Sequence, residues 1–379
     1  MITFTRKLTT TLPAALLLCA SLSGITTMSY AAPANPNAPV SMIKTWDKTF
    51  TQSSKVDHRK VSFQTRYGIT LVGDLYIPKD RGDRKLAAIA VSGPFGAVKE
   101  QSSGLYAQTL AELGFVTLAF DPSYTGESGG YPRNVASPDI NTEDFSAAVD
   151  FLGLQKEVDR NRIGLLGICG WGGMALNDAA MDTRVKAVAT SVMYDMSRAM
   201  GHGVGDGKDR YSITDRRAIL QYLNNQRWKD AENGSFAPGS HDINVDDKGN
   251  VSVSSRILPE TLPANPHPVM KEFFDYYRMP RGYHERSVNS AGAWNATMPL
   301  SFMNMPLLSY ANEITIPTLI VTGEKAHSRY FAETAFNAVG SKNKELVIIP
   351  GANHVDLYDN EAGKIPFSKF EQFFKTSLK

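Results

Sequence analysis

A cysteine at a sharp turn is the residue of this chain with the clearest chemical potential. Cys169 ends an apolar run, and Gly170, Gly172 and Gly173 follow it in a stretch of small residues typical of a helix start. A tight turn from a strand into a helix presents a nucleophilic side chain to a substrate. A thiolate in that position attacks carbonyl carbon, so we predict that Cys169 is a catalytic nucleophile with an unusually reactive thiol.

The first 31 residues are predicted to be a secretory signal peptide. Two cations precede an apolar stretch over residues 12–22, and small residues around Ala31 fit a signal-peptidase cleavage site. The apolar stretch is shorter than the roughly 20 residues that a transmembrane helix needs. We therefore expect an exported protein, periplasmic or extracellular, without a membrane span. Cys19, the other cysteine, lies in this leader, so Cys169 would have no disulfide partner.

Charge and histidine spacing argue against several classes of partner. The 379-residue chain carries a formal charge of +2, and removal of Arg6 and Lys7 with the leader would leave no net charge. This balance gives no indication of binding to nucleic acid or to an anionic membrane surface. Four histidines between residues 202 and 284 lack the spacing of metal ligands. We expect a small-molecule substrate and neither a metal nor another cofactor.

Two further side chains with suitable chemistry follow strands nearer the C-terminus. Glu324 comes directly after the predicted strand 318–322, and His354 follows the last predicted strand. Because the loops at the carboxyl ends of parallel strands meet in one crevice, both residues are predicted to lie near Cys169. A nucleophile, an acid and a histidine in this chain order are typical of α/β-hydrolases.

The strands that position these residues alternate with helices over most of the chain. That alternation predicts an α/β fold, with a mostly parallel sheet covered by helices on both faces and a hairpin at its start. The predicted strands are 61–66, 69–77, 87–92, 115–120, 162–168, 185–192, 318–322 and 346–349, and the predicted helices are 102–113, 141–152, 330–339 and 365–378.

A polar, aromatic-rich block interrupts the alternation. Residues 196–305 show only patchy helical periodicity, so they are predicted to form a cap or lid inserted into the core. The core itself then comprises residues 61–195 and 306–379, and residues 32–60 form an N-terminal linker and lead-in.

Four motifs resemble those of the α/β-hydrolase superfamily, specifically its dienelactone hydrolase-like branch with a cysteine nucleophile. These motifs are Ser92-Gly93-Pro94-Phe95-Gly96, the stretch 120–128, Gly167-Ile168-Cys169 and Gly351-Ala352-Asn353-His354. The resemblance implies an α/β-hydrolase fold in which His354 is the general base for Cys169. It also implies an oxyanion hole formed by the backbone N–H groups of Phe95 and Gly170.

Two positions depart from the pattern of that branch. Trp171 stands two residues after the nucleophile, where glycine is usual, and we expect it to form a pocket wall, with His327 as a second substrate contact. Ala326 stands where the triad aspartate is expected. The acid is then either Glu324, the nearest carboxylate, or Asp195, just beyond a core strand.

The resemblance implies hydrolysis of an ester, a lactone or a thioester through an acyl-cysteine intermediate. Two alternatives stay open on the sequence alone. A protein that kept the fold and lost the chemistry would be a binding protein, which the departures at Trp171 and Ala326 favour. A peptidase or an acyltransferase could use the same site.

Overall fold

The computed structural model describes residues 34–379. The predicted signal peptide, residues 1–31, lies outside this range. Over the described residues, no helix is both long and apolar enough to cross a membrane.

Eight strands form the central sheet, and four short strands lie within residues 196–305. In chain order the strands are β1 (Val56–Gln64), β2 (Thr70–Pro78), β3 (Leu86–Ser92), β4 (Val116–Phe120), β5 (Val158–Ile168), β6 (Val185–Ser191), β7 (Pro238–Gly239), β8 (Ile243–Val245), β9 (Val251–Val253), β10 (Trp294–Asn295), β11 (Thr318–Gly323) and β12 (Lys344–Ile349). The central sheet has the order β1-β2-β4-β3-β5-β6-β11-β12. β1 and β2 form an antiparallel hairpin, β2 runs antiparallel to β4, and the remaining neighbours are parallel. The predicted mostly parallel sheet is confirmed.

Helices cover both faces of this sheet. They are α1 (Ser102–Glu112), α2 (Pro138–Gly153), α3 (Gly170–Met181), α4 (Met196–His202), α5 (Ile213–Asn233), α6 (Pro268–Tyr277), α7 (Val288–Ala291), α8 (Pro299–Phe302), α9 (Arg329–Ala338) and α10 (Phe367–Ser377). Helix α1 connects β3 to β4, which lies on one side of β3 in the sheet. Helices α2 and α3 connect β4 to β5 and β5 to β6, and both connections run along the sheet in the opposite direction. Because such crossovers are right-handed, α1 and the α2–α3 pair lie on opposite faces. Strands β4 and β11 are accordingly buried along their whole length.

The block predicted to be a cap enters the fold between β6 and β11. It carries helices α4 to α8, the small hairpin of β8 and β9, and a two-residue pairing of β7 with β10. The patchy periodicity near residues 214–228 corresponds to α5, which runs from a capping box at Ser212 to a left-handed Gly234. None of its strands joins the central sheet, so the block is an insertion on a complete core.

The first strand begins at Val56, inside the segment predicted to be a lead-in. The sequence obscures this start because His58 and Lys60 are polar residues in a strand. Both side chains bind buried carboxylates: His58 lies 2.7 Å from Asp74, and Lys60 lies 3.4 Å from Glu100. Ion pairs thus replace the apolar alternation by which an outer strand is normally recognised.

Candidate active site

Cys169 occupies a strained turn between β5 and α3. Its backbone has φ 55° and ψ −126°, a region that residues with a side chain rarely adopt. Glycines make the turn possible, because a Cβ on Gly167 would lie 2.2 Å from the carbonyl oxygen of Trp171. A Cβ on Gly93 would lie equally close, 2.2 Å, to the carbonyl oxygen of Ile168. Strain held in this way by its surroundings is typical of functional positions.

Three polar groups lie near the Cys169 thiol, whose residue is only 7% exposed. They are the backbone N–H groups of Phe95 and Gly170 and the hydroxyl group of Tyr358. Burial raises the pKa of the thiol, and the three polar groups offset only part of that rise. The structure therefore brings together Cys169, Phe95 and Gly170, the residues that the sequence predicted for the nucleophile and the oxyanion hole.

His354 is fully buried in the loop that follows β12. Its Nε2 lies 2.9 Å from the hydroxyl oxygen of Tyr358, and its Nδ1 lies 2.7 Å from Oγ of Ser328. Burial lowers the pKa of His354 well below its ordinary value, and the neighbouring His327 lowers it further. The partner of Nδ1 is thus a hydroxyl group, where a carboxylate was expected.

Neither predicted acid contacts His354. Glu324 is exposed, and its Oε2 accepts a hydrogen bond of 2.7 Å from the N–H of Gly351, which joins the loops after β11 and β12. Asp195 caps α4 by accepting from the N–H of Arg198 at 3.1 Å, and it also accepts from the hydroxyl of Ser197. Each carboxylate thus stabilises local backbone, and Ser328 takes the place assigned to the acid.

The two predicted substrate contacts lie in different places. His327 is at the site: its ring centroid is 4.9 Å from that of His354, and its Nε2 hydrogen-bonds the hydroxyl of Tyr194. Burial lowers the pKa of His327 to about 4. Trp171 instead packs into the core, with its ring centroid 5.9 Å from Phe120 and 5.4 Å from Phe145. The helical turn after Cys169 directs this indole away from the thiol, so the expectation of a pocket wall is corrected.

The inserted block covers the site. Phe273 of α6 lies 5.6 Å, between ring centroids, from both His327 and His354. The side chain of Asn289 in α7 donates a hydrogen bond of 2.7 Å to the carbonyl oxygen of Phe95, and the ring of Trp294 lies 4.5 Å from that of Phe95. The insertion therefore contacts both histidines and the loop that carries Phe95.

Sequence reasoning missed Tyr358 and Ser328. Tyr358 follows His354 by four residues across a single helical turn, a spacing that places two side chains side by side. That spacing was a usable signal. Ser328 precedes α9 and reads as an ordinary helix cap, so nothing local connects it with a histidine 26 residues later.

A second cluster of carboxylates has the composition of a cation site. One oxygen each of Glu100, Asp121 and Glu127 lies within 4.8 Å of the others. The ammonium group of Lys99 already binds all three, at distances of 2.7, 2.7 and 2.6 Å. Burial alone would lower the pKa of Lys99, but Asp121 and Glu100 raise it well above its ordinary value. The lysine supplies the positive charge that a metal ion would otherwise bring.

Comparisons with known proteins agree with this architecture. Uncharacterized protein PA2218 of Pseudomonas aeruginosa is 56% identical over 345 residues, which cover 90% of this chain and 86% of that protein. The crystal structure of hypothetical protein PA2218 matches with a TM-score of 0.81 over 89% of this chain and 99% of that chain. Uncharacterized protein YcjY of Escherichia coli is 32% identical over 308 residues, 80% of this chain and 94% of that protein. No protein-family model matches the chain.

More distant relatives carry names that refer to an activity. Thiohydrolase aneE of Aspergillus aculeatus is 35% identical over 131 residues, 35% of this chain and 40% of that protein. The crystal structure of alpha/beta hydrolase GrgF from Penicillium sp. sh18 shares the fold, with a TM-score of 0.65 at 20% identity over 85% of this chain and 99% of that chain. The predicted α/β-hydrolase fold is therefore confirmed, and the chain belongs to the family of α/β-hydrolase-fold proteins that includes PA2218 and YcjY.

Proposed function

We propose that the protein is a hydrolase that cleaves an ester or a thioester through an acyl intermediate on Cys169. One observation carries this proposal: the thiol lies at a strained elbow and faces two backbone N–H groups, those of Phe95 and Gly170. Two such donors stabilise the oxyanion that forms when a nucleophile attacks a carbonyl group. Their arrangement around the thiol matches the needs of acyl transfer.

The reaction would proceed in two stages. In the first, the thiol loses its proton towards His354, the sulfur bonds to the carbonyl carbon, and the carbonyl oxygen takes the negative charge. Collapse of this intermediate breaks the bond to the leaving oxygen or sulfur, which takes up the proton. In the second, water attacks the acyl-cysteine thioester in the same way, releasing a carboxylic acid and restoring the thiol. Each lost oxyanion donor would cost about 3 kcal/mol of transition-state stabilisation.

The names of the distant relatives support a thioester or ester substrate. The thiohydrolase of Aspergillus aculeatus matches about a third of this chain, so the support concerns the chemistry and leaves the substrate open. The likeness to the dienelactone hydrolase branch, a lactone substrate and export from the cytoplasm belong to the same proposal. Export rests on the pattern of residues 1–31 alone.

A binding protein without turnover is the second candidate, and the charge state of the site favours it. Burial raises the pKa of Cys169 and lowers that of His354, so both groups are uncharged at neutral pH. In addition, no carboxylate of residues 34–379 hydrogen-bonds His354 to stabilise an imidazolium. A site with these properties would bind an acyl compound and fail to cleave it.

A paired substrate screen separates the two candidates. Oxygen esters and thioesters of the same acyl groups are assayed with the wild-type protein and with Cys169→Ala. We expect turnover of at least one compound by the wild type, and a loss on the order of 10³-fold or more in the variant. Full turnover by Cys169→Ala would contradict the proposed nucleophile. Saturable binding without turnover by the wild type would establish the second candidate.

A further inference from the structure

The hydroxyl group of Tyr358 lies between the two groups that the proposed reaction must connect. It is 2.9 Å from Nε2 of His354, and it lies near enough to the thiol of Cys169 for each group to shift the pKa of the other. The other ring nitrogen of His354, Nδ1, is bonded to Ser328. Both nitrogens of the imidazole are therefore occupied, and neither of these bonds goes to the thiol.

The surroundings of Tyr358 hold its hydroxyl in this place. The residue is fully buried, and its ring centroid lies 5.2 Å from Tyr276, 6.1 Å from Tyr277 and 5.2 Å from His354. Burial keeps the pKa of Tyr358 well above its ordinary value, and the nearby thiol raises it further. The phenol is thus protonated at neutral pH and can donate one hydrogen bond while it accepts another.

The bond to Ser328 fixes the orientation of the His354 ring. Nε2 of His354 accepts a proton from Tyr358 only if Nδ1 carries the ring proton, and the hydroxyl oxygen of Ser328 can accept from that Nδ1–H. Ser328 is a positioning residue in this sense, because it holds the ring with Nε2 facing Tyr358. The groups follow in the order Cys169, Tyr358, His354, Ser328.

We propose that Tyr358 is a catalytic residue that relays the proton between Cys169 and His354. As the sulfur attacks the acyl carbon, the thiol proton passes to the oxygen of Tyr358, and the phenol proton passes to Nε2 of His354. Tyr358 ends neutral, His354 becomes an imidazolium, and the negative charge is on the substrate oxygen. When the intermediate collapses, a proton returns from His354 through Tyr358 to the leaving group. This inference rests on the proposed function.

The test is a double-mutant cycle on acylation, with turnover of the best substrate of the screen as the readout. Tyr358→Phe removes only the hydroxyl group and keeps the ring packing. We expect it to slow acylation on the order of 10²-fold or more, as loss of a general acid–base group does. His354→Ala should then add little in the Tyr358→Phe background, because residues that act in one chain are not additive.

Tyr276→Phe is the matched control. Tyr276 is also buried and packs on Tyr358, but it bonds to neither Cys169 nor His354. Its variant should retain turnover within about threefold, since the hydroxyl group of Tyr276 makes no hydrogen bond within residues 34–379. Thermal unfolding of all variants shows that each one folds.

The outcomes distinguish the relay from the proposed function. Turnover within about threefold of wild type in Tyr358→Phe, with strict dependence on Cys169, would overturn the relay and leave the nucleophile in place. The relay would also be overturned if the double variant lost turnover by the product of the two factors measured for Tyr358→Phe and His354→Ala alone. Full activity of Cys169→Ala would instead overturn the proposed function.

Discussion

At the scale of single residues, the site is uncharged at rest. The ordinary thiol and imidazole pKa values would allow a proton to pass between them near neutral pH, but burial moves the two values apart. His327 adds to the effect because a charged His354 would lie against a second imidazole, 4.9 Å away between ring centroids. We infer that Cys169 ionises as it attacks, once a bound acyl group can receive the charge.

The pH dependence of thiol alkylation tests this charge state. A raised pKa means less thiolate at any pH below it, so iodoacetamide should label native Cys169 more slowly at pH 7 than it labels a free cysteine. The rate should still be rising at a pH at which an ordinary thiol, with a pKa of about 8.5, has levelled off. Protein unfolded in denaturant is the control and should label like a free thiol. Fast labelling with a plateau near pH 7 would contradict the charge state.

That expectation reverses the one drawn from sequence. The glycine-rich turn indicated Cys169, Phe95 and Gly170 as site residues, which lie together in the structure, because backbone geometry at an elbow leaves a local pattern. Reactivity depends on burial, which arises from contacts between distant segments and leaves no such pattern. The same reason explains the missed partner of His354: Ser328 and Glu324 lie four residues apart, and only the path of the loop selects between them.

At the scale of elements, α6 forms part of the ceiling over the histidines. Phe273 contacts the rings of both His327 and His354, so it forms an apolar wall beside these histidines. Apolar walls of this kind set which acyl groups fit. The loss of strand–helix alternation in the sequence predicts the inserted block. The sequence does not show which aromatic residues of the block face the site, because Phe273 and Phe274 are adjacent on one helix.

Truncation of Phe273 should change substrate choice. We expect Phe273→Ala to raise kcat/KM for bulky acyl groups relative to acetyl by about tenfold, since one or two methylene-sized contacts are worth 10-fold or more. The measurement is the ratio of kcat/KM for a long-chain and an acetyl ester. Phe274→Ala, one residue on and in contact with neither histidine ring in the described structure, should leave the ratio unchanged. Equal ratios in both variants and the wild type would remove Phe273 from the ceiling.

At the scale of the whole molecule, the ion cluster of Lys99, Glu100, Asp121 and Glu127 ties the N-terminal segment to the core. The N–H of Ile43 donates to the carboxylate of Glu127, and the N–H of Thr49 donates to the carbonyl oxygen of Glu100 at 2.9 Å. Lys99 links Glu100, after β3, to Asp121, after β4. Lys99 and Glu100 are adjacent in the chain, but Asp121 and Glu127 come from a separate loop, so no local pattern in the sequence indicates the cluster.

Removal of the Lys99 ammonium group should lower the free energy of unfolding. Lys99→Met leaves three buried carboxylates without their common partner, so we expect a loss of about 3–5 kcal/mol in the free energy of unfolding. Lys55→Met is the control: Lys55 is largely exposed and lies 3.8 Å from Glu112, so its loss should change stability by less than about 0.5 kcal/mol. Denaturant unfolding at neutral pH measures both. Equal stability of the two variants would show that the cluster does not support the fold.

The proposed reaction depends on a covalent bond between Cys169 and an acyl group. Wild-type protein is mixed with an excess of a substrate that it turns over, quenched rapidly in acid, digested, and examined by peptide mass spectrometry. We predict one acyl group per protein on the peptide that contains Cys169, a lower level in Tyr358→Phe at the same time point, and none in Cys169→Ala. Turnover without any acylated peptide, or an acyl group on another residue, would contradict it.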